Sequence, residues 1–408
     1  MSLDEGGSTK KMPAEATTVD APSYALWQLV AYALRLGTLG FGGPVALVEY
    51  MRRDLVEQRK WISAAEYKEG LTLAQLMPGP LAAQLAIYLG YVHYGVLGAT
   101  LVGFAFVLPS FWMVVGLGWA YQRYGGLSWM QAVFYGVGAC VIGIIAISAF
   151  KLTRKTIGQD KLLWAIFVAS AAVTIWFESE WIGLFLFAGV LVWLVRTRRA
   201  VGSTAASLAL LPPLFAADPD IADPTNKLVT IFIFFAKAGA FVFGSGLAIV
   251  PFLYGGVVKE YGWLNDQEFL DAVAVAMITP GPVVITVGFI GYLVEGLAGA
   301  SVAALATFLP CYLLTIIPAP YFKKHGKRPG LVAFVDGVTA AAIGAIAGAV
   351  IVLGRRTIFG SNGWPEWPKV LLLLITVGLL LKFKKLPEPL VVLGAAVAGL
   401  LLYPLVQP

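Results

Sequence analysis

The chain has 408 residues, of which 59% are apolar and only 13% charged, and it carries a formal charge of +6. Soluble domains carry about 25% charge. With a mean hydropathy of +0.81 and successive apolar runs, the composition excludes a soluble enzyme, a disordered chain and a nucleic-acid binder. It predicts an all-α polytopic membrane protein, whose excess of cations is topogenic charge in short loops.

Residues 1–23 are polar and lack the charged-then-apolar pattern of a cleaved leader, so they are expected to form a disordered cytoplasmic tail. A first transmembrane unit is expected over 24–200. It opens with two apolar regions broken by Gly and Pro, 24–50 and 64–90, and continues with runs at 96–119, 129–150, 162–177 and 181–195. Residues 201–226 read as a linker, with the stretch 200–216 apolar enough for one crossing. The second unit, 227–408, has broken regions at 227–256 and 266–292, then runs at 297–320, 331–353, 370–381 and 389–405. Broken segments at membrane depth are tolerated only where they face protein or a watery cavity.

The two units are copies. At an offset of 202, RLGTLGFGGPVALV (35–48) lies over KAGAFVFGSGLAIV (237–250), Trp61 over Trp263, Glu66 over Glu268 and LMPGP (76–80) over ITPGP (278–282). At 201 the match continues through Gly95 over Gly296, LP at 108 over LP at 309, Gly136 over Gly337, Gly143 over Gly344, and RKT at 154 over RRT at 355. Duplication in a membrane protein predicts a secondary transporter with its substrate site near the midplane, built from discontinuous helices.

Loop charge predicts inverted repeats. If each broken pair enters and leaves on one side, the loop 51–60, the loop 151–161 with Lys151, Arg154, Lys155 and Lys161, and the cations Arg196, Arg198 and Arg199 are all cytoplasmic, while Glu178 and Glu180 lie outside. This obeys the positive-inside rule. A crossing at 200–216 puts DPDIADP (218–224) outside and starts the second copy from the opposite side. Its loop 256–263 keeps only Lys259, and the clusters move to Lys323, Lys324, Lys327 and Arg328, then Lys382, Lys384 and Lys385. The N-terminus is then cytoplasmic and the C-terminus periplasmic. Arg355 and Arg356 run against this pattern, because it places them outside; full crossings of the broken segments would keep the same end-to-end parity but flip the loop at 51–60.

A helix N-terminus presents free backbone N–H groups and about half a positive charge, which suits an anion. FGGP (41–44) and FGSG (243–246) are expected to be such breaks, bringing Gly42, Gly43, Pro44, Gly244, Ser245 and Gly246 to the substrate; the bland account is that Gly and Pro only allow kinks and close helix packing. A second break follows at Pro78, Gly79 and Pro80, and at Pro280, Gly281 and Pro282, where the prolines remove donors. Arg35 and Lys237 occupy equivalent positions before FG, and ionisable groups at membrane depth commonly mark substrate pathways; snorkelling to the headgroups is the bland account. Gln75 and Thr279, beside the PGP breaks, could orient oxyanion oxygens. Glu66 and Glu268 have the spacing of capping boxes with Ser63 and Asn265, the alternative being proton-coupling carboxylates; Asp336, over Tyr135 in the repeat, is a third proton candidate. His93 is expected in a loop, beside Tyr94 and Gly95. Cys140 and Cys311 are expected to be packing residues. No metal-ligand cluster or nucleotide motif is present in the sequence, so neither a cofactor nor enzymatic activity is expected.

FGGP followed by QLMPGP, GY and LPS, repeated as FGSG, TPGP, GY and LPC, resembles the chromate transporter (CHR) family in its long two-domain form. The resemblance covers nearly the whole chain, 25–355 most strongly. It carries motif positions onto Phe41, Gly42, Gly43, Pro44, Pro78, Gly79 and Pro80, and onto Phe243, Gly244, Pro280, Gly281 and Pro282. It implies a bacterial inner-membrane carrier, its halves oppositely oriented in the lipid bilayer, that exports chromate and so confers resistance. Ser245 and Gly246 depart from the Gly43 and Pro44 of the first half, which implies unequal contributions. Proton antiport is the simplest coupling; sulfate or another oxyanion as substrate, an anion channel, and assembly as a homodimer stay open.

Overall fold

The computed structural model describes residues 24–41, 43–125, 127–178, 182–198, 226–240, 242, 246, 249–325, 329–359, 365–383 and 386–406. The expected tail at 1–23, the crossing at 200–216 with its acidic loop, and Gly42, Phe243, Gly244 and Ser245 lie outside these. The described chain is helical. Its first part comprises α1 (Leu26–Leu39), α2 (Gly43–Met51) running into a π-helical turn at Arg52–Gln58, α3 (Ala64–Leu76), α4 (Leu81–Tyr124), α5 (Ser128–Thr156), α6 (Lys161–Phe177) and α7 (Ile182–Arg198). The second repeats the order: α8 (Lys227–Ala240), α9 (Ile249–Leu253) with a π-helical turn at Tyr254–Glu260, α10 (Asp266–Ile278), a 3-10 turn at Val283–Ile285, α11 (Thr286–Ile316), α12 (Ala319–His325), α13 (Pro329–Ile358), α14 (Trp367–Lys382) and α15 (Glu388–Val406).

Among the described residues four stretches are long and apolar enough to cross a membrane, Leu81–Tyr124, Ser128–Thr156, Val283–Phe322 and Pro329–Ile358, so the protein is a multi-pass membrane protein. Within α4 and α11 the backbone reverses at Gly95 and Gly296, both at φ +58 and ψ −149. That conformation is open essentially to glycine alone. The reversal folds Leu81–Tyr94 back on the rest of α4 with Gly90 against Gly98, and in α11 it places Gly291 against Gly299; absent side chains let the two backbones touch.

In the first half the broken regions fold as hairpins. Tyr24, at the start of α1, stacks on Trp61, which follows the first π-helical turn. His93, near the end of the returning helix, bonds both Tyr24 (2.8 Å) and Glu66 (3.2 Å) at the start of α3. Each of these two hairpins thus brings its ends together. His93 is therefore helical and not in a loop: the reversal is confined to Gly95, and the imidazole satisfies a carboxylate and a phenol.

The two parts house each other's terminal hairpins. α6 and α7 pack on α13, and α14 and α15 pack on α5. Glycines allow the approach: Gly337 lies against the Ala188 carbonyl, Gly344 against that of Phe167, and Gly136 against that of Ala395. The Ser170 hydroxyl donates to the Ala341 carbonyl at 2.7 Å across the same seam. Both cysteines are buried among these cores, as their apolar surroundings predict.

Candidate functional site

The tips of the hairpins meet. The Gly79 N–H donates to the Val242 carbonyl at 2.5 Å, and the Gly281 N–H donates to the Gly40 carbonyl at 3.0 Å. Val242 sits over Gly40 in the repeat, so each PGP turn is held by the break of the opposite half. Both turn glycines have positive φ, +140 at Gly79 and +95 at Gly281, so only glycine turns the chain there without strain. The surrounding contacts are reciprocal too: Gly79 faces Cys311, which follows the second LP, and Gly281 faces Ser110, which follows the first. The helices that begin at these tips, α2 at Gly43 and α4 at Leu81, with the 3-10 turn leading into α11, all start beside this junction. A helix start presents N–H groups that its own helix cannot pair, which suits an oxyanion.

Around the junction, Gln84 is completely buried in the first turn of α4. Its amide N–H donates to the Pro78 carbonyl at 2.7 Å, while its side-chain oxygen has no partner among the described residues. Thr279 is buried, but its hydroxyl is turned back on its own helix, at 3.1 Å from both the Val275 and Ala276 carbonyls. Gln75 is exposed, away from the turn. Glu388, in the first turn of α15, brings its carboxylate beside Gly43, an acid that no sequence motif marks.

The paired cations sit on the flanks of their helices. Arg35 is exposed on α1, on the same side as Trp27 and Leu34, and forms no ion pair with a described residue. Lys237 is half-buried on α8. Both lie within about 8 Å, along the helix axis, of the residue that ends the helix.

Of the expected proton groups, Glu66 and Glu268 each complete a capping box. Glu66 accepts from the Ser63 N–H at 3.0 Å and Glu268 from the Asn265 N–H at 2.9 Å, and each cap side chain accepts from the glutamate N–H in return. Asp336 is bound to Arg196 at 2.5 Å, and Arg196 also reaches Asp160 at 2.7 Å. Arg196 thereby ties α7 to α13 and to the N-cap of α6, and its bond holds the Asp160 carboxyl below the usual aspartate range. At another loop Glu178 gathers Lys259 at 2.5 Å and Arg356, and Arg356 reaches Asp266 at 2.9 Å. The bond from Lys259 keeps Glu178 below the glutamate range.

One acid pair escapes a motif reading. Three residues past the capping glutamates, Glu69 lies over Asp271 in the repeat. Tyr88 faces Glu69 from the same half, whereas Asp271, 2% exposed, accepts from Tyr121 of the opposite half at 2.8 Å and from Gln267 at 2.8 Å. Carrying the 202-residue offset one helical turn beyond Glu66 would have found the pair.

No solved structure matches this chain. It is 68% identical to the chromate transport protein of Cupriavidus metallidurans over 95% of this chain and 96% of that one. Against the probable chromate transport protein of Synechococcus elongatus the identity is 63%, over 94% and 97%. Against the chromate transport protein of Pseudomonas aeruginosa it is 32%, over 99% of each. The chromate transporter family model matches residues 27–193 and again 229–400, one segment for each copy of the duplicated unit. The chain belongs to the chromate transporter family.

Proposed function

We propose that this protein is a secondary transporter that exports chromate from the cytoplasm by chromate/proton antiport and so confers chromate resistance. The observation that carries the reading is the reciprocal bonding of the four breaks, which gathers the helix starts of both halves at one central junction suited to a tetrahedral dianion. Arg35 and Lys237, each near the end of its helix, supply neutralising charge in this reading. Outward movement of a dianion is favoured by an inside-negative potential, and proton entry adds to it.

The inner-membrane orientation with the N-terminus cytoplasmic rests on the loop charges, and the opposed direction of the two halves is supported by how the ends sort. α12 packs on α3, so α13 starts at the end where the first hairpins return, and it finishes at Arg356 beside Asp266. α5 starts at the other end, because Gln122 just before it bonds the Leu293 carbonyl at 3.2 Å. Equivalent helices thus run oppositely, in support of inverted units at 24–200 and 227–408. Arg356, which loop charge alone leaves anomalous outside, is neutralised there by Glu178 and Asp266.

The test is uptake of labelled chromate into everted, energised membrane vesicles, with sulfate as competitor and with Arg35→Gln and Lys237→Gln alongside. Energised uptake that sulfate scarcely inhibits, and that both substitutions abolish, is expected. Sulfate uptake without chromate uptake would overturn the substrate, and unchanged affinity in both variants would overturn the cationic site.

A further inference from the structure

A cavity of about 430 Å³ opens where the end of α4 and the start of α5 meet the first turns of α10 and α14 and the end of α15. It lies between the two halves, apart from the central junction. Its wall includes Asp271, the carboxyl whose only bonded partners among the described residues are the neutral Tyr121 hydroxyl and Gln267 amide.

The charges around Asp271 are accounted for from every side. On its own helix Glu268 is held in its cap, and Asp266 is taken by Arg356 and by the Tyr254 hydroxyl at 2.6 Å. From α14, Lys369 reaches Glu366 at 3.1 Å and lies over the Tyr135 ring of α5, 4.7 Å from its centre. From α15, the Tyr403 hydroxyl donates to Gln131 at 3.0 Å. Lining the cavity there are thus two fixed acids, Glu268 and Glu366, against one cation, even before Asp271 is counted. A chamber of that balance attracts protons and repels a dianion.

Each other acid named above as a proton candidate has a structural duty. Protonating Glu66 or Glu268 would weaken the charge-assisted bonds of a helix cap, and protonating Asp336 would loosen the Arg196 bridge. Asp271 can gain or lose a proton without breaking an ion pair, which is the property of a relay carboxyl inside a membrane carrier. We propose that Asp271 is the group that takes up and releases the transported proton, with this cavity as its access route, while the oxyanion passes through the central junction. The proposal rests on the proton-coupled reading above. In the step itself one proton leaves hydronium in the cavity and joins a carboxylate oxygen of Asp271, leaving water behind.

The experiment uses the full chain in proteoliposomes and compares chromate accumulation driven by a pH gradient with chromate counterflow at equal pH. Asp271→Asn is expected to lose accumulation and keep counterflow, and Asp271→Glu to restore accumulation. Infrared difference spectra between acid and alkaline pH supply a readout that needs no substrate: wild type is expected to show a protonated-carboxyl band that Asp271→Asn lacks. Accumulation by Asp271→Asn at the wild-type level, loss of accumulation and counterflow together in a variant that still unfolds cooperatively, or an unchanged infrared band would each overturn the proposal. If Asp271→Asn does not fold, Tyr121→Phe, which removes one donor and no charge, must shift the pH profile of accumulation; an unshifted profile overturns the proposal as well. Wild-type liposomes without chromate counterflow would instead overturn the transport reading, and the infrared band would still decide the role of Asp271.

Discussion

Replacing Gly281 by Ala tests the central junction most directly. The residue sits at φ +95, where a side chain costs about 1–3 kcal/mol in backbone strain. The added methyl would lie 2.7 Å from Ser110 Oγ, 3.1 Å from Ser110 Cβ and 3.3 Å from the Gly37 carbonyl oxygen, and such overpacking costs a further 1–3 kcal/mol or so. Together these predict a loss of about 2–6 kcal/mol in unfolding free energy, measured by chemical unfolding in detergent, with chromate counterflow falling in parallel. Ser110→Ala removes the nearest atom but not the strain, so Gly281→Ala with Ser110→Ala should be less damaging than the sum of the singles by about 1 kcal/mol. Gly95→Ala is the control for strain without collision, since nothing lies within 4 Å of a methyl there. A Gly281→Ala variant within about 0.5 kcal/mol of the parent, or a strictly additive double variant, would refute the reasoning.

Four further outcomes are expected. Glu388→Gln removes a carboxylate beside Gly43 and should tighten chromate binding about tenfold if the anion visits that break; an unchanged Kd by equilibrium binding would take that break off the path. Glu66→Gln and Glu268→Gln keep an oxygen that accepts from the Ser63 and Asn265 N–H, so each should cost no more than about 0.5 kcal/mol and leave pH-driven accumulation intact, whereas loss of coupling would show that they carry the proton. Arg196→Gln leaves Asp160 and Asp336 without their cation and should destabilise the chain by about 1–3 kcal/mol, with Asp160→Asn less than additive beside it. The carboxyls of Asp160 and Glu178 are held below their ordinary values, so the folded chain binds these protons less tightly than the unfolded one. Their contribution should be complete at neutral pH and disappear as the pH falls through about 4 and below; a melting temperature that stays flat into that range would contradict it.

The apolar runs at 129–150, 331–353 and 389–405 became α5, α13 and α15 with only a few residues added at the ends, because a membrane helix announces itself by local composition. The capping spacing of Ser63 with Glu66 and of Asn265 with Glu268 was legible for the same reason: a cap is a contact between residues three apart. What lay beyond reading were contacts between distant positions. Nothing local links Tyr121 to Asp271 or Arg196 to Asp336, and the exchange of terminal hairpins between the halves has no signature in either. His93 was misplaced because Gly95 suggests a loop, whereas one glycine reverses the chain there without unwinding the turn before it. Arg35 and Lys237 are paired in the repeat, yet the alignment carries no information on which flank of the helix each occupies.

The two backbone bonds at the centre act as a pair of clasped hooks, each tip gripping the other's shank. A continuously conducting pore through the centre would have to hold both hooks apart for as long as ions flowed, and would pay the loss of both bonds throughout. A carrier needs to unclasp them only once per cycle. On the carrier reading proposed above, throughput along this axis would be limited by the rate of a collective rearrangement, on the microsecond-to-millisecond scale or slower, and it should saturate with substrate instead of rising with its concentration.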